Sequence, residues 1–158
     1  MTEQAFEGRV NALRGTLFRV ASAYLTRECD RADAVQEALL KAWRGLNRLR
    51  REELFKTWLV RILIRECINI LRQNRRMIPA ESLPETAAPQ KDDGSAALGE
   101  ALRRLPDEMR IVVTLFYMDG FSTVEIARAL GVPKGTVCSR LARARRQMRE
   151  TLGEEACE

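Results

Sequence analysis

Six basic side chains and no acidic one lie between Lys134 and Arg149. Within that stretch Val137, Leu141, Ala144 and Met148 recur every three or four residues, which on a helix makes one buried stripe. Thr136, Ser139, Arg140 and Arg143 then fall on another face, near the N-terminal half, where a recognition helix presents side chains to the edges of base pairs. Arginine pairs bidentately with guanine, and Ser and Thr hydroxyls bond to bases or phosphates. Arg145, Arg146 and Arg149 lie further along, where phosphate attraction needs only charge. A helix C-terminus also collects arginines because they suit its dipole and keep a surface solvated. The preceding residues decide for DNA. Ser122-Thr-Val-Glu125 is a capping box, Gly131 suits a left-handed helix end, and Gly131-Val132-Pro133 is the short joint of a helix-turn-helix.

A second basic cluster stands upstream. Arg61, Arg65, Arg72, Arg75 and Arg76 face one acid, Glu66, and are interleaved with Trp58 and many aliphatics. Mixed aromatic, apolar and basic surface suits single-stranded or flipped bases, because bases stack on or enter apolar pockets while the backbone demands cations. The competing expectation is that Trp58, like Trp43, belongs to the core. Asp30, Asp33, Gln36 and Glu37 form a docking face or, equally, an acid-rich first turn that favours the helix dipole.

Composition removes other chemistry. The 158 residues contain no His, so triads built on imidazole and His metal sites are excluded. Cys29, Cys67, Cys138 and Cys157 stand alone, without the spacing that chelates a metal from one turn, and are expected to be reduced thiols packed as small hydrophobes. No metal or cofactor is expected. No apolar run approaches the roughly 18 residues of a spanning helix, and Met1 to Arg9 is too polar for a signal peptide, so a cytoplasmic protein without stable membrane insertion is expected.

The net charge of +5 is unevenly spread. Residues 1–76 hold 16 basic and 9 acidic side chains, 77–99 hold 1 and 4, and 100–158 hold 10 and 9. The acidic strip also contains three of the five prolines and reads as an extended linker. On both sides the apolar spacing is helical. Phe6, Val10, Leu13, Leu17, Val20 and Tyr24 predict a helix over 3–26, and Val35, Leu39, Trp43 and Leu46 one over 31–46. A third, over about 53–75, has more apolar residues than one face holds. After the strip, Leu98 to Leu105 gives a short helix, Pro106 enters the first turn of the next, Asp119-Gly120 makes a turn, and Pro133 enters the first turn of the last helix. The expected fold is all-α, with two small helical domains joined by an acidic flexible linker and a C-terminal helix-turn-helix.

Four segments, in order, resemble one family. Asp30 to Trp43, Phe55 to Arg72, Leu105-Pro-Asp-Glu-Met-Arg110 and Gly135 to Arg145 are similar to the extracytoplasmic-function group of bacterial RNA polymerase sigma factors. The resemblance implies region 2 at 5–76, a linker at 77–95 and region 4 at 96–153. It implies that Asp33, Gln36 and Glu37 dock on the clamp of the largest polymerase subunit. The −10 element would be met by Lys56, Trp58, Arg61, Ile62, Arg65, Asn69, Arg72, Arg75 and Arg76, and the −35 element by Lys134, Thr136, Ser139, Arg140, Arg143, Arg145 and Arg146. The linker would thread toward the RNA exit path, where its charge mimics nucleic acid. Partners would be core polymerase, promoter DNA and a cognate anti-sigma factor, and the chain itself would catalyse nothing. Two positions depart from the family pattern: Arg65 stands where many members carry Asn, and Cys138 where many are basic. The rival from the residues alone is a stand-alone helix-turn-helix repressor or activator. A recombinase is disfavoured because Ser22, the only serine in residues 1–76, lies mid-helix.

Overall fold

The computed structural model describes residues 1–77 and 96–156, so the linker expected at 77–95 lies outside the described residues apart from its first position. The chain divides into two compact units, one mainly on Met1–Thr86, with Arg128–Leu130 grouped with it, and the other on Ala87–Ala127 and Gly131–Glu158. Every regular element among the described residues is helical.

The first unit contains α1 (Glu3–Ala12), α2 (Arg14–Tyr24), α3 (Glu28–Arg44) and α4 (Phe55–Met77). The single helix expected over 3–26 is therefore two. Leu13 leaves helical geometry at φ −100° and ψ 6°, and its N–H closes a tighter three-residue turn onto Val10. The Leu17 N–H still bonds the Leu13 carbonyl, so the apolar stripe passes through the break almost unrotated. That is why spacing alone did not show it.

Helix α3 corrects a second expectation. Its buried residues are Ala34, Ala38 and Ala42, one position away from the stripe of Val35, Leu39 and Trp43. Alanines at four-residue intervals form a shallow ridge that lets another helix approach closely, and α4 packs along α3 there. Larger residues on α4 fill the space: Leu59, Val60, Leu63, Ile64 and Cys67 are buried, together with Leu17, Val20 and Ala21 of α2. Lys41 on α3 is ion-paired with Glu66 on α4, and Asn74 donates a hydrogen bond to Asp30 at 3.1 Å, so polar links join the two helices beside the apolar seam.

The second unit contains α5 (Ala96–Arg104), α6 (Asp107–Val113), α7 (Thr123–Leu130) and α8 (Lys134–Ala156). Pro106 is not in the first turn of α6. It precedes the helix with an extended ψ of 151°, and α8 likewise begins after Pro133, whose carbonyl accepts from Thr136 and Val137. Arg110 fastens α5 to α6. Its Nε donates to the Leu102 carbonyl and its Nη2 to those of Arg103 and Leu105, while Nη1 pairs with Asp107. One guanidinium thus satisfies carbonyls that a helix C-terminus leaves without partners, which gives the Leu105 to Arg110 segment a structural reason. Ile111, Val112, Leu115, Val137, Leu141 and Ala144 are buried, and α8 packs on both α5 and α6.

Candidate nucleic-acid and partner interfaces

Helix α8 is aimed by the joint before it. Ser122 Oγ accepts from the Glu125 N–H at 3.1 Å and Glu125 Oε1 accepts from the Ser122 N–H at 3.0 Å, completing the expected capping box. Gly131 then adopts φ 68° and ψ 34°, the left-handed conformation that ends α7 and turns the chain into α8. At about 100° per residue, Thr136, Ser139, Arg143 and Arg146 lie within one outward sector of α8, away from the buried Val137, Leu141 and Ala144. Lys134 and Arg145 occupy one flank. Ser139 Oγ donates to the Thr136 carbonyl at 3.1 Å, so its lone pairs are what it offers outward.

Arg140 does not share the open face with Arg143. It lies at the margin of the buried stripe, its side chain 22% exposed, and its Nη2 stands 3.7 Å from Glu108 Oε2 in the first turn of α6. Three guanidinium-bearing residues, Arg145, Arg146 and Arg149, line a hollow of about 320 Å³ with Ala142 and Glu150. Arg145 Nε donates to the Tyr117 hydroxyl at 2.5 Å. Cys138 is exposed on the same helix.

On α4, Trp58, Arg61, Ile62, Arg65, Asn69, Arg72 and Arg76 fall within one sector of about 100° of the helix and form one ridge on the side away from the core. Its arginines and Asn69 are exposed, while Trp58 and Ile62 are half-buried. Lys56 falls on roughly the opposite side and Arg75 about a quarter turn away, so these two do not join the ridge. Trp58 is not a core residue in full, and Trp43 is 43% exposed, with a T-shaped contact to Phe6 at 5.2 Å. Both therefore depart from the core expectation. The segment leading into the ridge is held by Arg9, whose Nη1 donates to the Glu52 carbonyl at 2.8 Å and whose Nη2 pairs with the Glu52 carboxylate at 3.0 Å.

Asp33, Gln36 and Glu37 are all exposed on α3, with Leu40 beside them. These residues form one wall of a groove of about 810 Å³ whose other wall carries Asn69, Arg72 and Arg76 of α4. The two residue sets that the sequence assigned separately thus meet across one groove, acids facing arginines. Glu66 is buried at its floor, and its hydrogen bond raises the Lys41 ammonium above its ordinary value of 10.5. The cysteines are not uniformly buried: Cys67 is, and burial pushes its thiol up to about 12, but Cys29 is exposed like Cys138.

Two family models match, sigma-70 region 2 over residues 9–77 and sigma-70 region 4 over residues 95–148. The ECF RNA polymerase sigma factor SigM of Mycobacterium tuberculosis is 36% identical over 140 residues, covering 87% of this chain and 71% of SigM. The chain belongs to the extracytoplasmic-function RNA polymerase sigma factors. The ECF sigma-E factor of Escherichia coli is likewise 36% identical, over 134 residues, 73% of this chain and 70% of that one. Among solved structures, the Bartonella quintana sigma factor RpoE, crystallised with the anti-sigma factor NepR, superposes with a TM-score of 0.79 at 26% identity over 95% of this chain and 98% of that one. CnrH in complex with the cytosolic domain of CnrY gives 0.73 at 26% identity over 97% and 90%.

The protein is thus an RNA polymerase sigma factor, a subunit that binds DNA and polymerase in transcription initiation. No helix among its described residues is long and apolar enough to cross a membrane. Sequence reasoning missed Leu40, Glu108 and Tyr117 beside the sigma factor's expected contacts. Leu40 was hidden by the displaced stripe of α3, and Glu108 and Tyr117 become neighbours of α8 only through the tertiary fold.

Proposed function

We propose that this sigma factor docks on the clamp of core polymerase through Asp33, Gln36 and Glu37, meets the −10 element with the α4 ridge, and meets the −35 element with the outward sector of α8. The observation that carries the reading is that ridge: Trp58 to Arg76 alternates ring and aliphatic surface with guanidinium groups along one helix face, the chemistry that holds an unpaired base and its backbone together. Region 2 would occupy 5–76 and region 4 would occupy 96–153, with the acidic strip at 77–95 directed toward the RNA exit path. Lys56 and Arg75 would contribute charge from outside the ridge. On α8, Thr136, Ser139, Arg143 and Arg146 would face bases and their phosphates, with Lys134 and Arg145 on the flank and Arg140 contributing from the margin of the buried stripe.

The reaction belongs to the polymerase. The protein works in the cytoplasm, and the structurally similar sigma factor RpoE, solved with the anti-sigma factor NepR, supports a cognate anti-sigma factor here. Promoter binding by core enzyme plus this chain, compared with the chain alone, tests the reading. The free chain should bind duplex weakly and lose affinity steeply with salt, and specific complexes with an opened −10 region should form only with core present. Tight, sequence-specific binding by the free chain at physiological salt would instead identify a stand-alone repressor or activator.

A further inference from the structure

Helix α6 ends in an unusual way. After Val113 the chain runs through a wider, π-helical turn at Thr114–Met118, closed by the Asp119 N–H on the Thr114 carbonyl at 3.2 Å. Such a turn inserts an extra residue into a helix and swings the following side chains around its axis, and it occurs often at functional sites. Here Leu115 remains buried while Tyr117 is carried outward to 55% exposure. The Tyr117 ring packs edge-on against Phe116, with centroids 4.9 Å apart, which fixes its plane. Its hydroxyl accepts a hydrogen bond from Arg145 Nε at 2.5 Å, and the guanidinium carbon lies 5.7 Å from the ring centroid.

The choice of nitrogen matters. Nε is the inner donor of the guanidinium, so the bond stops the fork from rotating and leaves both Nη groups available, and neither makes a hydrogen bond among the described residues. Arg145 also lines the hollow shared with Arg146 and Arg149. Three cations around a hollow with one acid, Glu150, suit a phosphate, and a planar fork held at Nε can meet two phosphate oxygens at once.

We propose that Tyr117 is a positioning residue for promoter binding, holding the Arg145 fork toward a backbone phosphate seated at the hollow of Arg145, Arg146 and Arg149. The proposal rests on the reading of α8 as the −35 helix. It makes Arg145 a contact defined by geometry, where charge alone would let Lys replace it.

Holoenzyme binding to a promoter and to single-base variants of its −35 element tests this with Tyr117→Phe, Arg145→Ala, Arg145→Lys and the Tyr117→Phe/Arg145→Ala pair. Tyr117→Phe keeps the ring and removes only the acceptor, and circular dichroism checks that it folds. Its affinity should fall about 3- to 10-fold by the same factor on every −35 variant. Arg145→Lys should recover little of the loss caused by Arg145→Ala, and Tyr117→Phe should add nothing to Arg145→Ala. An equal loss from Tyr117→Phe on the Arg145→Ala background would overturn the proposal, because the hydroxyl would act without the arginine. So would unchanged affinity, a change confined to one base position, or tighter binding, which would mean that Tyr117 withholds Arg145 from DNA. If Arg143→Ala and Arg145→Ala both leave promoter binding intact, the −35 reading of α8 falls and takes the proposal with it. If both weaken binding while Tyr117→Phe does not, only the positioning role falls.

Discussion

Arg140 and Arg143 are three positions apart on one helix and differ in what they can offer a promoter. Arg143 is exposed in the outward sector of α8, whereas Arg140 is half-buried against Glu108. A bidentate pair with a base discriminates by roughly 1 to 3 kcal/mol, so Arg143→Ala should lower transcription strongly from the preferred −35 element and level the response to variants at one position. Arg140→Ala should leave that ranking intact, its loss being spread evenly over templates. Transcription by holoenzyme across a −35 panel measures both. A common reduction factor for Arg143→Ala would assign it to the backbone instead. The cysteines show the same dependence on surroundings: Cys67, with its thiol pushed up to about 12, stays protonated near neutrality, while Cys29 and Cys138 face solvent.

Elements were legible where one residue carries the instruction. Ser122 with Glu125 announced the start of α7 and Gly131 its end, because a cap and a left-handed turn each demand particular residues. Alanines carry little weight in a hydropathy pattern, so the true packing face of α3 was displaced by one position. The wide turn at Thr114–Met118 had no local marker at all, and Tyr117 could not be connected with Arg145 without it. The site was therefore readable as a set of residues and not as an arrangement. Arg110 shows how a family motif can be structural: removing its bonds to the Leu102, Arg103 and Leu105 carbonyls should destabilise the second unit by roughly 2 to 4 kcal/mol. Urea melting of Arg110→Ala and Arg110→Lys checks this. Lys should restore less than half, since one ammonium cannot span the positions reached by Nε and Nη2. A wild-type melt for the Ala variant would place the joint's stability elsewhere.

At the scale of the whole molecule the protein must bind polymerase and promoter without one surface spoiling the other. Asp33 and Glu37 line the same groove as Arg72 and Arg76, and the Glu37 charge also helps to raise Lys41. Reversing Glu37 would disturb the Lys41 and Glu66 pair, so Asp33→Lys with Glu37→Gln is the cleaner probe. This double variant should lose co-purification with core polymerase at least about 10-fold, as expected when an interface charge is reversed, and keep its helical circular dichroism and melting temperature. Normal core binding would move the docking face away from α3.

The shallow seam between α3 and α4 has a further consequence, for divergence. Because α3 is held by Ala34, Ala38 and Ala42, and its outward residues Asp33, Gln36, Glu37 and Leu40 contribute little to that seam, packing constrains the inner face while only what the helix docks on constrains the outer one. A bulkier residue at Ala38, which is 1% exposed, would wedge the helices apart and destabilise the unit. A change at Leu40 alters only which surface the helix accepts.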